Sequence, residues 1–329
     1  MGGGTGKLKS KRSLLFRILK WTGITVGGTL FILIFLVAPY WLANTVTTFG
    51  TRPMDQELTS TPADYGVEFE EVVFASTDGV ALAGWYLGDG NRGASVVCAH
   101  GLFRSRLEVL ERAVFLRQNG FNVLLFDSRR HGASGGDRIT LGFKERLDVE
   151  AGIRFVKDRS PADKIILFGV SMGAAASLLA AAETPDVLAV IADSSFLNFE
   201  HIVTHHLKLL FGLPRFPLGD ELVFFIERLA GFSKEDFDLE TAVRRVGNRP
   251  ILFIAGSEDE RTPVALQERL FRAAESEKSD LVVLDGATHG AAYRTRTEAY
   301  RNALLSFLSK AAPVPHPSAE AEPVKKGAL

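Results

Sequence analysis

The chain has 329 residues, 46% of them apolar and 23% charged, a balance that supports a large buried core and excludes an intrinsically disordered protein. Its 38 Lys and Arg nearly cancel its 39 Asp and Glu, but residues 1–20 hold six bases and no acid, leaving a net charge of −7 beyond Lys20 against −1 for the whole chain. An acidic remainder argues against nucleic acid as a partner, and a single cysteine, Cys98, excludes an internal disulfide and any cysteine-ligated zinc or iron–sulfur site.

In chain order, the first predicted element is a membrane segment. Residues 21–42 are a run of 22 without an ionisable group apart from the phenol of Tyr40. As a helix they cover about 33 Å, enough to cross a hydrocarbon core of about 30 Å. Lys7, Lys9, Lys11, Arg12, Arg17 and Lys20 precede the run, while Tyr40 and Trp41 suit the interfacial belt at its far end. The basic flank (residues 1–20) predicts a cytoplasmic N-terminus and places the rest of the chain on the extracytoplasmic side. A cleaved signal peptide and a buried core helix are the competing readings. Against the first stand the length of the run and the lack of a clear A-x-A site, against the second its unbroken apolarity. N-myristoylation fails because Gly6 stands where Ser or Thr is required.

Residues 43–66 are mostly polar, contain Pro53 and Pro62, and are expected to be a linker. From residue 67 strand and helix patterns alternate. Segments 67–76 and 80–87 read as strands paired through an Asp78-Gly79 turn. Short, almost wholly apolar strands follow at 94–99, 122–126, 165–170, 188–192, 251–255 and 281–284, a composition that fits burial on both faces of a mostly parallel sheet. Helices are predicted at 107–118, 143–157, 174–182, 264–274 and 297–309. Right-handed crossovers would set them on both faces of the sheet, giving one α/β domain over residues 67–310. Residues 196–248 interrupt the alternation with a helical pattern rich in apolar side chains, among them Leu209, Leu210, Phe211, Phe216 and Phe224, and predict a lid over the strand ends. Residues 311–329, with three prolines before a small charged stretch and no apolar period, predict a disordered tail.

The chemistry is carried by oxygen and imidazole groups. Gly169-Val170-Ser171-Met172-Gly173 follows an apolar strand and opens an Ala-rich helix. Such an elbow lifts a serine hydroxyl clear of the sheet, and the helix N-terminus and the Met172 N–H face the place where an oxyanion would form. Gly132-Ala133-Ser134-Gly135-Gly136 matches the same pattern, but no helix starts directly behind Ser134, so Ser171 is the predicted nucleophile. His289 follows the last strand and Asp259 the one before it. Together they give the chain order Ser, Asp, His, with His289 as base and Asp259 as its orienting acid, Glu258 and Asp193 being the rival acids. His100-Gly101-Leu102 comes directly after the strand 94–99, and a loop there can aim the Leu102 N–H at the same oxyanion as Met172, with the His100 side chain bracing the turn.

Other candidates carry plainer readings. His201, His205 and His206 include the i, i+4 spacing of some metal pairs but lack the Glu of H-E-x-x-H, and are expected to form a polar lid face. Arg129, Arg130 and His131 read as structural hydrogen bonding, and Cys98 as a small buried hydrophobe.

These residues resemble the α/β-hydrolase superfamily over residues 67–310. The agreement lies in His100-Gly101 after a strand, the loop from Asp127 to Ser134, the elbow at Ser171, a lid after Asp193, Asp259 with Pro263 four residues on, and His289. The lid size and the 127–136 loop are similar to those of serine aminopeptidase and monoacylglycerol-lipase-like hydrolases, including membrane-anchored bacterial members. The resemblance implies a Ser-His-Asp acyl hydrolase with no cofactor and no metal. Two departures stand out: Arg130 occupies a position where that loop usually has Gly, and Leu102-Phe103 replaces the extra glycines of HGGG-type esterases. The expected function is a membrane-anchored serine hydrolase acting on a carboxylic ester or related acyl bond of an apolar, lipid-like small molecule. The alternatives are an aminopeptidase-like amide hydrolase, an acyltransferase, and a non-catalytic binding module on the same fold.

Overall fold

The strands predicted from apolar runs form one sheet, and their alternation builds two cores rather than one. A computed structural model of the chain describes residues 5–57 and 59–311. Among them, eight strands pair in the order β1-β2-β4-β3-β5-β6-β7-β8. β1 (Glu70–Ala75) and β2 (Ala81–Leu87) are antiparallel, and β2 is antiparallel to β4 (Asn122–Phe126). β3 (Ala94–Ala99), β5 (Lys164–Val170), β6 (Val187–Asp193), β7 (Ile251–Gly256) and β8 (Asp280–Leu284) continue the sheet in parallel with β4. Successive side chains of a strand point to opposite faces. Val97 and Ala99 of β3 therefore enter one apolar cluster, Val96 and Cys98 the other. Cys98 is fully buried, and burial pushes its thiol pKa up, as expected of an inert core thiol.

The helices run in chain order as α1 (Thr5–Ile32), α2 (Ala38–Thr48), α3 (Pro53–Gln56), α4 (Leu110–Gln118), α5 (Glu145–Arg159), α6 (Met172–Glu183), α7 (Phe199–Phe211), α8 (Asp220–Ala230), α9 (Leu239–Val246), α10 (Val264–Ala273), α11 (Ala292–Thr295) and α12 (Thr297–Ala311). α4, α11 and α12 cover one face of the sheet, while α5, α6, α9 and α10 cover the other. This is the α/β-hydrolase fold, with the 196–248 insertion placed after β6.

The insertion divides in two. α7 and α8 lie over the C-terminal ends of the strands, whereas α9 packs its Leu239, Ala242, Val243 and Val246 face into the core beside α6.

α1 and α2 join through a π turn at Leu33–Val37 into one helical run, with a stretch long and apolar enough to cross a membrane, a property that an anchor shares with a signal sequence. The helix does not stop at residue 42, where the apolar run ends. It continues to Thr48, because no breaker intervenes before Gly50, whose φ is +75°. Residues 43–57, read from composition as linker, lie along the domain and bond to it. The Ile139 N–H donates to the Thr47 carbonyl at 2.7 Å, the Arg52 N–H to the Phe103 carbonyl at 2.9 Å, and the Gly132 N–H to the Thr51 hydroxyl at 2.7 Å. Ala311 closes α12, and the remainder of the predicted tail, 312–329, lies outside the described residues.

Candidate active site

Ser171 sits between β5 and α6 with φ +52° and ψ −111°, a strained conformation for a residue with a Cβ, worth about 1–3 kcal/mol. The flanking glycines make this turn possible. A Cβ on Gly169 would strike the Gly173 carbonyl, and one on Gly173 would strike the Ala99 carbonyl at the end of β3. The Ser171 N–H donates to the Asp193 carbonyl at 2.8 Å, and the Ser171 carbonyl accepts from the Ala175 N–H at 3.0 Å, so the strained residue is held from both sides.

The three residues predicted to act together are together. His289 Nε2 lies 2.9 Å from Ser171 Oγ, and His289 Nδ1 lies 2.8 Å from Asp259 Oδ2. With the carboxylate accepting at Nδ1–H, the Nε2 lone pair faces the serine hydroxyl, the tautomer that a general base requires. Asp259 is held by the backbone N–H groups of Arg261 and Thr262 at 2.9 and 2.8 Å and by the Thr262 hydroxyl at 2.7 Å. Burial alone would raise its pKa, but the hydrogen bond and charge of His289, with the Thr262 donors, outweigh burial and hold the carboxyl below its ordinary range.

The rival residues are otherwise occupied. Asp193 is fully buried and accepts from the Tyr300 hydroxyl at 2.8 Å and the Ser194 hydroxyl at 2.9 Å, with the Arg112 guanidinium 3.7 Å away. Glu258 is exposed. Ser134 donates its hydroxyl to the Asp127 carbonyl at 2.5 Å and accepts from the Ala83 N–H at 2.9 Å, which ties a loop to β2.

Among the described residues, the N–H groups of Leu102 and Met172 donate to no protein acceptor, and both residues line the same cleft as Ser171. The loop carrying Leu102 is braced by groups the sequence did not single out. Glu108 is mostly buried, its side chain 11% exposed, and its Oε2 accepts the Gly101 N–H at 2.6 Å while Oε1 pairs with Arg104 at 3.2 Å. Burial raises the Glu108 pKa, an effect the Gly101 N–H and Arg112 only partly offset. A signal existed in the sequence, an acid seven residues after Gly101 in a predicted helix, but nothing there said that it would turn back on the loop.

His100 is a brace, as expected: Nδ1–H donates to the Gly101 carbonyl at 2.8 Å and Nε2 accepts the Ser128 N–H at 3.0 Å. His131 does the same between the Arg129 carbonyl and the Phe103 N–H. Burial lowers both imidazoles to about 4, so they are neutral struts. Arg129 is buried between Asp148 and Asp78. Arg130, standing where the similar loops have Gly, adopts φ +64°, the region that favours glycine, and its Nε donates to the Thr48 carbonyl at 2.9 Å. On α7, the His205 ring bonds the Glu260 carbonyl at 2.7 Å and His206 donates to the Ile202 carbonyl at 2.9 Å, while the His201 and His205 rings stack 5.5 Å apart. No group of three or more His, Cys, Asp or Glu side chains among the described residues is placed to hold a metal ion.

The cleft above Ser171 has a volume of about 1430 Å³. Its floor is the elbow and the 101–104 loop, its roof is α7 and α8, and its wall includes Leu42 and Val46 of α2.

Comparison with known proteins agrees with this architecture. Residues 90–216 match the family model described as serine aminopeptidase S33, and residues 234–319 match that of TAP-like proteins. The protein YqkD of Bacillus subtilis is 27% identical over 272 residues, covering 79% of this chain and 88% of the relative. An uncharacterized protein of Mycobacterium tuberculosis is 30% identical over 249 residues, covering 74% of this chain and 80% of the relative. An esterase of Pyrococcus furiosus superimposes with a TM-score of 0.67 at 26% identity, covering 80% of this chain and 98% of the esterase. With the sheet order, the elbow and these relatives in agreement, the chain belongs to the α/β-hydrolase superfamily.

Proposed function

We propose that the protein is a membrane-anchored serine hydrolase that cleaves carboxylic esters of apolar, lipid-like molecules through an acyl-enzyme. The observation that carries the reading is the hydrogen-bonded chain from Ser171 Oγ through His289 to Asp259, set at the mouth of an apolar cleft. His289 takes the Ser171 proton at Nε2 as the oxygen attacks the substrate carbonyl carbon. Asp259 keeps Nδ1 protonated and steadies the imidazolium. The N–H groups of Leu102 and Met172 donate to the oxyanion, aided by the N-terminus of α6. His289 then protonates the leaving alcohol. Water attacks the acyl-serine with its proton passing to Nε2, which releases the acid and restores Ser171.

Two further observations support the substrate class. The cleft exceeds the roughly 300–1,000 Å³ of common small-molecule pockets, and its roof is a helical lid whose tip exposes Leu210, Phe211 and Phe216. The esterase likeness favours oxygen esters. The basic N-terminal flank, with the apolar helix behind it, supports a single-pass anchor with a cytoplasmic N-terminus and an extracytoplasmic catalytic domain.

A profile of hydrolysis against p-nitrophenyl esters of rising chain length, with aminoacyl-naphthylamides alongside, tests the reading. Ser171-dependent ester cleavage that favours long chains is expected. Peptide-type cleavage without ester preference would replace this reading with the amide hydrolase that the matched serine aminopeptidase model suggests.

A further inference from the structure

The helix that enters the domain from the apolar N-terminal run is also part of the wall around Ser171. On α2, Pro39, Ala43 and Thr47 are buried at four-residue spacing, and Leu42 and Val46, one turn apart on the adjoining stripe, are half-buried and line the cleft that Ser171 and His289 line. Ile202 and Leu207 of α7 and Leu222 and Ile226 of α8 line the same cleft. Apolar side chains also stand open to the outside, Leu36 of the preceding π turn at 51% and Trp41 of α2 at 66% exposed, and the lid tip leaves Phe211 59% and Phe216 77% exposed. Tyr40 of α2 packs edge-on against Phe225 of α8 with ring centroids 5.7 Å apart, so helix and lid are in direct contact.

α2 is fixed to the domain rather than tethered by a loose strand. Arg138 reaches the Thr47 hydroxyl at 2.8 Å and the Asn44 amide oxygen at 3.3 Å, and Arg130 holds the Thr48 carbonyl. Three residues further on, the Thr51 hydroxyl donates to the Arg104 carbonyl at 2.9 Å and the Arg52 N–H to the Phe103 carbonyl, both beside Leu102. An anchor that needed only to tie the enzyme to a bilayer would require none of these bonds.

We infer that Leu42 and Val46 belong to the substrate site, forming with α7 and α8 the sleeve that takes the acyl chain of a membrane-derived ester and limits its length. The inference rests on the acyl-hydrolase reading above and adds to it the residues that select the substrate. A chain whose carbonyl reaches Ser171 would run between the lid and the final turns of the anchor, so its methylenes leave the bilayer for apolar protein without crossing water. For an ester drawn from water, each methylene buried there is worth about fourfold in kcat/KM, whereas passage from the bilayer into apolar protein is close to neutral.

The test uses the full-length protein in lipid nanodiscs with p-nitrophenyl butyrate, laurate and palmitate. Leu42→Trp and Val46→Trp, which fill the sleeve, are expected to lower the laurate-to-butyrate ratio of kcat/KM at least tenfold. Val46→Ala, which lengthens the sleeve and is the milder change to packing, is expected to raise the palmitate-to-laurate ratio several-fold. Leu36→Trp, on the outer face, is the control and should leave every ratio as in the wild type. Ratios within twofold of wild type in all three sleeve variants, in protein that melts at the wild-type temperature, would overturn the inference while leaving the hydrolase reading intact. Absence of any Ser171-dependent butyrate hydrolysis in the wild type would remove the hydrolase reading, and this inference with it.

Discussion

At the level of single residues, groups that look alike in the sequence have different partners in the structure. Asp259 and Asp193 are both buried acids at strand ends, yet only Asp259 touches His289, while Asp193 serves Tyr300, Ser194 and Arg112. Asp259→Asn is therefore expected to lower kcat by about 10³–10⁴-fold with the melting temperature little changed, because the amide offers Nδ1 the wrong partner. Asp193→Ala is expected to act chiefly on stability, by about 3–5 kcal/mol, since it leaves Arg112 buried beside an empty site. Chemical denaturation and steady-state kinetics on both variants check the pair. A large kcat loss in Asp193→Ala at wild-type stability would reverse the assignment. The elbow at Ser171 was legible in the sequence because it is a local object: a strand, two glycines and a helix start, all within reach of one another along the chain. The carboxylate that meets His289 was legible only as a shortlist. Whether Glu258 or Asp259 turns inward depends on the turn after β7, where Thr262 closes back on the Asp259 carboxylate.

Among the elements, the parallel strands were read within one or two residues, because burial on both faces leaves an unbroken apolar run bounded by turn residues. The segment after the apolar helix was not legible in the same way. Its polar composition suggested a spacer, but its order comes from long-range bonds to Arg104, Arg130, Arg138 and Ile139, which no local pattern encodes. Likewise α9 has the apolar face of a lid helix and spends it on the core beside α6. The tip of the lid makes an element-level prediction. Replacing Leu210, Phe211 and Phe216 together with Ser is expected to reduce hydrolysis of vesicle-borne long-chain esters at least fivefold, with activity on soluble butyrate ester retained. Equal rates on both substrates in this variant and in the wild type would deny the lid its role at the bilayer.

For the whole molecule, the buried neutral imidazoles make stability depend on pH. His100 has its pKa lowered from 6.5 to about 4, so the unfolded chain binds the proton first as pH falls. Stability is complete above pH 6.5 and declines as pH drops toward 4. The contribution is about 3 kcal/mol for a fully buried site, with His131, its ring 5.0 Å away, adding to the same window. A melting temperature that falls over this range, and falls less steeply in His100→Asn, is the expected result. The charge asymmetry predicts orientation as well. In intact cells, a protease added outside should reach the catalytic domain and spare the basic N-terminus, and the reverse pattern would contradict the proposed topology. The proposed activation of Ser171 by His289 is tested by locating a fluorophosphonate adduct by mass spectrometry. One adduct is expected, on the peptide holding Ser171, retained in Ser134→Ala and lost in both Ser171→Ala and His289→Ala. An adduct on Ser134, or none on folded wild-type protein, would contradict it.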